Sequence, residues 1–154
     1  MPNTYTQLYV QIVFSVKGRR KLIPQNEIKN DVARYITGIV QERGHKMLAI
    51  NLMPDHAHIF IGLNPTQSIS DLTRDVKASS CKLINAEKLT PFRFAWQRGF
   101  GAFSYNIREK QKIIDYVRNQ EEHHRNKSFK EEYLKFLKDF EVEYQPDYLF
   151  EFYD

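Results

Sequence analysis

Along residues 7–17, QLYVQIVFSVK, the residues Leu8, Val10, Ile12, Phe14 and Val16 alternate with Tyr9, Gln11, Val13, Ser15 and Lys17. A period of two predicts a first β-strand with one strongly apolar face. The basic run KGRRK (17–21) follows as a turn. From Asn26 to Arg43 the period changes: Ile28, Val32, Ile36 and Ile39 recur at helical spacing, and Gly44 follows as a stop. HKMLAINLMPD predicts a second strand, and Pro54-Asp55 turns it into a third, HAHIFIGL, as a hairpin. Ser68 opens another helix with Asp71 three residues on as a capping box, and Leu72, Val76, Ser79 and Leu83 as its inner face. GFGAFSYN reads as a fourth strand. Asn106 and Glu109 cap a helix that runs to Arg125, and a short amphipathic helix covers residues 129–140.

The order β-α-β-β-α-β with C-terminal helices predicts an α/β (α+β) fold of the ferredoxin-like split β-α-β kind. In it, helices cover one face of an antiparallel sheet. With no internal repeat, low-complexity tract or linker, residues 1–154 read as one domain.

Charge divides the chain. Residues 1–127 carry 20 Lys/Arg against 11 Asp/Glu, whereas residues 128–154 carry 3 against 8. A basic body suits either a polyanion partner, most often nucleic acid, or mere solubility. No apolar run reaches membrane-spanning length, so no membrane role is expected. One cysteine, Cys81, excludes an intramolecular disulfide and suits a cytoplasmic home; its helical position reads as packing.

On the third strand Ala57, Ile59 and Ile61 share the face that meets the first two helices, so His56, His58 and Phe60 point the other way. The helix from Asn106 is left to cover them. Its stripe Glu109, Lys112, Tyr116, Gln120 and His123 lies beside Ile113 and Val117, and Tyr116 and Gln120 project together. One pocket then holds two imidazoles, a carboxamide and a phenol. Two neutral imidazoles and a side-chain oxygen can hold a divalent cation with sites open for phosphate oxygens. A tyrosine hydroxyl in line with that phosphate can attack it and form a phosphotyrosine.

Taken singly, each residue has a plainer reading. An H-x-H pair on a strand serves equally as hydrogen-bonded structure, and a tyrosine as a packing residue with a polar tip. His123, His124, Arg125 and Lys127 suit a helix C-terminus, where cations complement the dipole. Asp55 is expected on the opposite strand face from the histidines, and Glu121 about 100° from Gln120, so neither is taken as a ligand.

Together, PDHAHIFI (54–61) and YVRNQEEHH (116–124) resemble the single-tyrosine HUH transposases of the insertion-sequence-200 type. FAWQRGFGAFSYN and SFKEEYLKFL extend the likeness over nearly the whole chain. The resemblance implies Tyr116 as nucleophile, with His56, His58 and Gln120 as ligands of Mg²⁺ or Mn²⁺. It implies single-stranded DNA with hairpins at element ends as substrate, a 5′-phosphotyrosine intermediate, and a homodimer whose active sites can be shared between subunits. The basic body suits hairpin phosphates, with Lys17, Arg19, Arg20, Arg74, Lys77 and Lys82 as contacts. A hairpin-binding relative that does not cut, and a metal-dependent nuclease that uses water, are the alternatives. Aromatics of PFRFAW are placed in core or dimer contacts, or stacked on unpaired bases.

Overall fold

The computed structural model describes residues 3–146 and 149. The last stretch of the acidic tail, apart from Leu149, therefore lies outside the described residues. Strands β1 (Tyr9–Ser15), β2 (Lys46–Leu52), β3 (His56–Gly62) and β4 (Gly101–Tyr105) form one antiparallel sheet in the order β2-β3-β1-β4. Helices α1 (Glu27–Glu42) and α2 (Ile69–Ala86) connect them as the split β-α-β order requires.

One face of the sheet carries Val10, Ile12, Phe14, Ala57, Ile59 and Ile61, packed with Val32, Ile36 and Val40 of α1 and Leu72, Val76 and Ile84 of α2. Asn26 caps α1, accepting from the backbone N–H of Ile28, and Ser68 caps α2, accepting from that of Asp71. The inner face of α2 is rotated from expectation. Thr73, Ser80 and Ile84 are buried with Leu72 and Val76, while Ser79 and Leu83 are only half-buried. Ser80 is accommodated because its hydroxyl donates to Val76 O at 2.6 Å and accepts from Trp96 Nε1 at 2.9 Å. Trp96 and Phe94 pack edge-on with each other and belong to the core, whereas Phe92 is exposed.

Every residue of β1 is buried, so the second face is covered too. Two elements cover it. Helix α3 (Lys110–Arg118) lays Ile113, Ile114 and Val117 on Tyr9, Ala49 and Phe60. Helix α5 (Phe129–Asp139) lays Phe136 against Phe103 with rings stacked at 4.9 Å. Gly101 makes room for α5: a Cβ there would sit 2.7 Å from the Tyr133 hydroxyl.

The helix predicted to run from 106 to 125 is interrupted. It begins as a 3-10 turn, Ile107–Glu109, under the Asn106/Glu109 capping box, continues as α3, and breaks at Asn119 (φ −101°, ψ 31°) before α4 (Gln120–Asn126). At the break Asn51 Nδ2 donates to Val117 O at 3.0 Å. Asn51 is the β2 partner of His58, so this bond ties the end of α3 to the histidine strand. Among the described residues, no helix is long and apolar enough to cross a membrane.

Candidate active site

His56 and His58 point to the second face from alternate positions of β3, opposite Ser15 and Val13, and both are fully buried. Each imidazole is oriented through its Nδ1. His56 Nδ1–H donates to Asp55 Oδ1 at 2.6 Å, and Asp55 Oδ2 lies 3.2 Å from the Arg19 guanidinium. His58 Nδ1–H donates to Gln11 Oε1 at 2.8 Å, and Gln11 in turn donates to the Tyr105 hydroxyl. Asp55 therefore does not face away from the histidines: it sits in the turn before β3, where its carboxylate curls onto His56.

A third imidazole joins them. His124 of α4 donates Nδ1–H to Lys127 O at 2.8 Å and turns Nε2 inward. Sequence reasoning placed His124 at a helix end complementing the dipole. The break at Asn119 starts a new helix and brings it over the sheet instead, its ring 4.8 Å from that of His56.

All three Nε2 atoms converge on one oxygen. Glu132 Oε1 lies 3.0 Å from His58 Nε2, 3.3 Å from His124 Nε2 and 3.7 Å from His56 Nε2. Glu132 sits in the first turn of α5 and is 4% exposed. Its other oxygen accepts a short hydrogen bond from the Tyr116 hydroxyl. Tyr116 also stacks on His123 at 4.4 Å and meets the His58 ring edge-on. Gln120 is fully buried: its Nε2 donates to Tyr116 O, and its Oε1 is 3.0 Å from His124 Nε2. Tyr116, His56, His58 and Gln120 are thus brought together within a single chain. Glu132 and His124 complete the group. Glu132 was legible only as a carboxylate on the helix face that also carries Phe129, Tyr133 and Phe136.

The electrostatics favour a cation at the point of convergence. With every Nδ1 committed as a donor, a neutral imidazole presents a lone pair at Nε2. Lone pairs opposite a carboxylate oxygen repel unless a proton or metal ion lies between them. Among the described residues, His56 Nε2 is buried and has no hydrogen-bond partner, so its lone pair is left unused. The ligand atoms of His56, His58, His124 and Glu132 all lie within 4.8 Å of one another. A carboxylate, an amide or a backbone carbonyl that holds Nδ1 of an imidazole is the usual second layer around a metal-binding histidine.

Burial pushes the His56 pKa down to about 4, against the opposing pull of Asp55. That keeps the ring neutral, the form in which an imidazole nitrogen can hold a metal ion. Burial raises the Glu132 carboxyl, but the charge of His58 and hydrogen bonds from His124 and His58 outweigh it and hold Glu132 well below the carboxylate range. Burial likewise lowers His124, yet Glu132 wins and its pKa is raised. The Tyr116 hydroxyl is pushed far above its ordinary value, first by burial and then by the Glu132 charge. A cation beside Glu132 would offset the second cause.

Among the described residues, two cavities open on the group. One, about 520 Å³, is lined by Tyr116, His123, His124, Glu132 and Phe136. The other, about 540 Å³, is lined by His56, His124, Arg19, Lys21, Arg125 and Lys127. His124 and Lys127 border both.

The six basic residues singled out from sequence do not form one set. Arg19 is 4% exposed and engaged with Asp55. Lys77 donates to Gln97 O and Gly99 O, and burial pushes its ammonium down to about 8. Both are engaged with the protein itself. Lys17, Arg20, Arg74 and Lys82 are exposed, with Arg74 paired to Asp71 and Asp75. Arg20 lies over the exposed Phe92 ring, 4.9 Å from its centre.

The family described as "Transposase IS200 like" matches residues 4–120. The chain is 25% identical over 76 residues to the ISDra2 transposase TnpA of Deinococcus radiodurans, an alignment covering 49% of this chain and 54% of that protein. It thus spans about half the length of that relative. Among solved structures, a Deinococcus radiodurans R1 chain assigned as a transposase superposes with a TM-score of 0.60 at 19% identity, over 77% of this chain and 94% of that one. A REP-associated tyrosine transposase bound to a REP hairpin superposes with a TM-score of 0.58 at 18% identity, over 79% and 72%. Both show the same fold. His124 and Glu132 lie beyond the family-matched span.

Proposed function

Because the chain belongs to the IS200-like transposase family, we propose that it cuts and rejoins single-stranded DNA through Tyr116, with a divalent cation held by the imidazoles. The observation that carries this reading is the convergence of the Tyr116 hydroxyl and three imidazole Nε2 atoms on the two oxygens of Glu132.

The residues divide the work. His56, His58 and Glu132 would hold the ion, with His124 and Gln120 Oε1 at its edge. Imidazole nitrogens favour first-row transition ions over Mg²⁺, so of the two ions expected Mn²⁺ fits this set better. Bound there, the ion supplies positive charge for the phosphate oxygens as negative charge develops on them. Glu132 aims the Tyr116 hydroxyl through its hydrogen bond, and the phenol proton leaves to water as the oxygen attacks. Tyr116 Oη bonds to phosphorus as the bond to the 3′ oxygen breaks, leaving a 5′-phosphotyrosine and, after protonation, a free 3′-hydroxyl. Rejoining is the reverse attack by a 3′-hydroxyl, so the phosphodiester bond energy is conserved.

The cavity lined by Lys21, Arg125 and Lys127 offers the approach for the strand's phosphates. Arg20 with Phe92 beside Lys17 offers a cation and an aromatic face for unpaired or hairpin DNA. The relative solved on a REP hairpin supports a structured DNA end as substrate. Tyr116 and the histidines meet in one chain, so a homodimer, if formed, need not exchange the tyrosine helix.

The test is a denaturing gel of purified protein with single-stranded oligonucleotides from the flanks of its gene and Mn²⁺ or Mg²⁺. The expected result is a protein–DNA adduct that is absent from Tyr116→Phe. Clean cutting to free 5′-phosphate by both proteins would instead establish a hydrolytic nuclease.

A further inference from the structure

A polar cavity lies at the opposite end of the sheet from the histidines. It holds about 350 Å³, the size of a single nucleotide site, and its liners include Lys46, Lys110, Thr6, Asn64 and Tyr9. His56 and Gly62, a further liner, stand at the two ends of β3, so this cavity is about 20 Å from the imidazole cluster at strand rise.

Three observations bear on what it takes. Among the described residues, no Asp or Glu lines it, while two lysines do, and neither lysine forms an ion pair. Tyr9 is 4% exposed, and its hydroxyl is buried with no hydrogen-bond partner among the described residues. A buried hydroxyl left unpaired is costly and calls for an explanation. The Lys110 ammonium rests over the Tyr9 ring, 5.7 Å from its centre, so a flexible side chain covers the phenol. Lys110 opens α3, and its position places positive charge at the end of the helix where the dipole is also positive.

We propose that this cavity seats a nucleotide of the DNA strand, with its phosphate between Lys46 and Lys110 and accepting a hydrogen bond from the Tyr9 hydroxyl as Lys110 swings aside. It rests on the reading of the chain as a DNA-processing enzyme only for the source of the nucleotide. The site would fix the strand's register at a distance from Tyr116, since α3 carries Lys110 at one end and Tyr116 about 9 Å further along its axis.

The test uses the full chain, with fluorescent single-stranded oligonucleotides from the gene flanks in one arm and dAMP in the other. Tyr9→Phe removes the hydroxyl and keeps the ring. The expected result is oligonucleotide binding weakened about tenfold, at an unchanged or higher melting temperature, because an unpaired buried hydroxyl does not support the fold. Replacing both lysines, Lys46→Gln with Lys110→Gln, should make the dependence of log K on log salt shallower by roughly 1 to 2. A merely structural hydroxyl would leave binding untouched, and parental oligonucleotide binding by both variants overturns the proposal. Lost dAMP binding with oligonucleotide binding intact overturns the strand assignment in favour of a free nucleotide. Adduct formation by Tyr116 on oligonucleotides too short to reach the cavity should persist in Tyr9→Phe. Its absence from the parent would count against the tyrosine chemistry and leave the cavity's test standing.

Discussion

Glu132→Gln isolates the charge at the centre of the site. The amide keeps the volume of the carboxyl and retains an oxygen for the Tyr116 hydroxyl to donate to, so the packing of α5 on the sheet should persist. What disappears is the one negative charge facing three Nε2 atoms at 3.0, 3.3 and 3.7 Å. Two unit charges about 4 Å apart at an effective dielectric near 20 interact by about 4 kcal/mol, or about three decades in affinity. The parent already bears the desolvation of that carboxylate, so most of this difference should reach the ion. Mn²⁺ affinity by calorimetry should therefore fall about a hundred- to a thousandfold, with the melting temperature of the metal-free protein shifted by only a few degrees. Affinity within about threefold of the parent would refute the idea that Glu132 and the imidazoles share one cation.

The remaining predictions concern stability. His56 titrates near pH 4 when folded and near 6.5 when unfolded, so the unfolded chain takes up its proton first as pH falls. Its stabilising contribution is complete above about 6.5 and is lost towards pH 4, by up to about 3 kcal/mol. The raised His124 acts in the other direction, its contribution being present below 6.5 and lost as pH climbs through its folded value. Urea unfolding in chelator should therefore show greatest stability near pH 6.5, and equal stability at pH 4.5 and 6.5 would contradict the burial argument. Gly101→Ala would bring a methyl within 2.7 Å of the Tyr133 hydroxyl and 2.8 Å of its ring. It should destabilise by about 1–3 kcal/mol and, by displacing α5, weaken Mn²⁺ binding; parental urea stability would show that α5 does not need that gap.

How much of this was legible in the sequence follows from which forces are local. The alternation in β1 and β3 and the helical period of α1 give the sheet and its first layer, because burial on one face leaves a repeat in the chain. The same repeat places His56 and His58 on the second face and Tyr116 on the helix above it. The break at Asn119 left no such mark, since it goes with a tertiary hydrogen bond from Asn51, far away in sequence. His124 was consequently read as the end of one long helix rather than as part of a second. Glu132 was hidden for a related reason: a carboxylate beside apolar positions looks like the rim of an amphipathic helix until three imidazoles are seen to surround it. The α2 face was displaced by one position because Ser80 and Thr73 are buried beside its apolar residues. Arg19 and Lys77 were counted with the basic surface, although Asp55 and two backbone carbonyls hold them against the protein.

The atom that becomes attached to DNA decides whether Tyr116 is the nucleophile. Trypsin cuts after Lys112 and Arg118, releasing the peptide Ile113–Arg118, in which Tyr116 is the sole tyrosine. Mass spectrometry of protein incubated with Mn²⁺ and flanking oligonucleotides, then digested with trypsin and nuclease, should find a nucleotide on that peptide through a phosphotyrosine. A nucleotide on any other peptide, or cut DNA with every peptide unmodified, would contradict Tyr116 as the nucleophile.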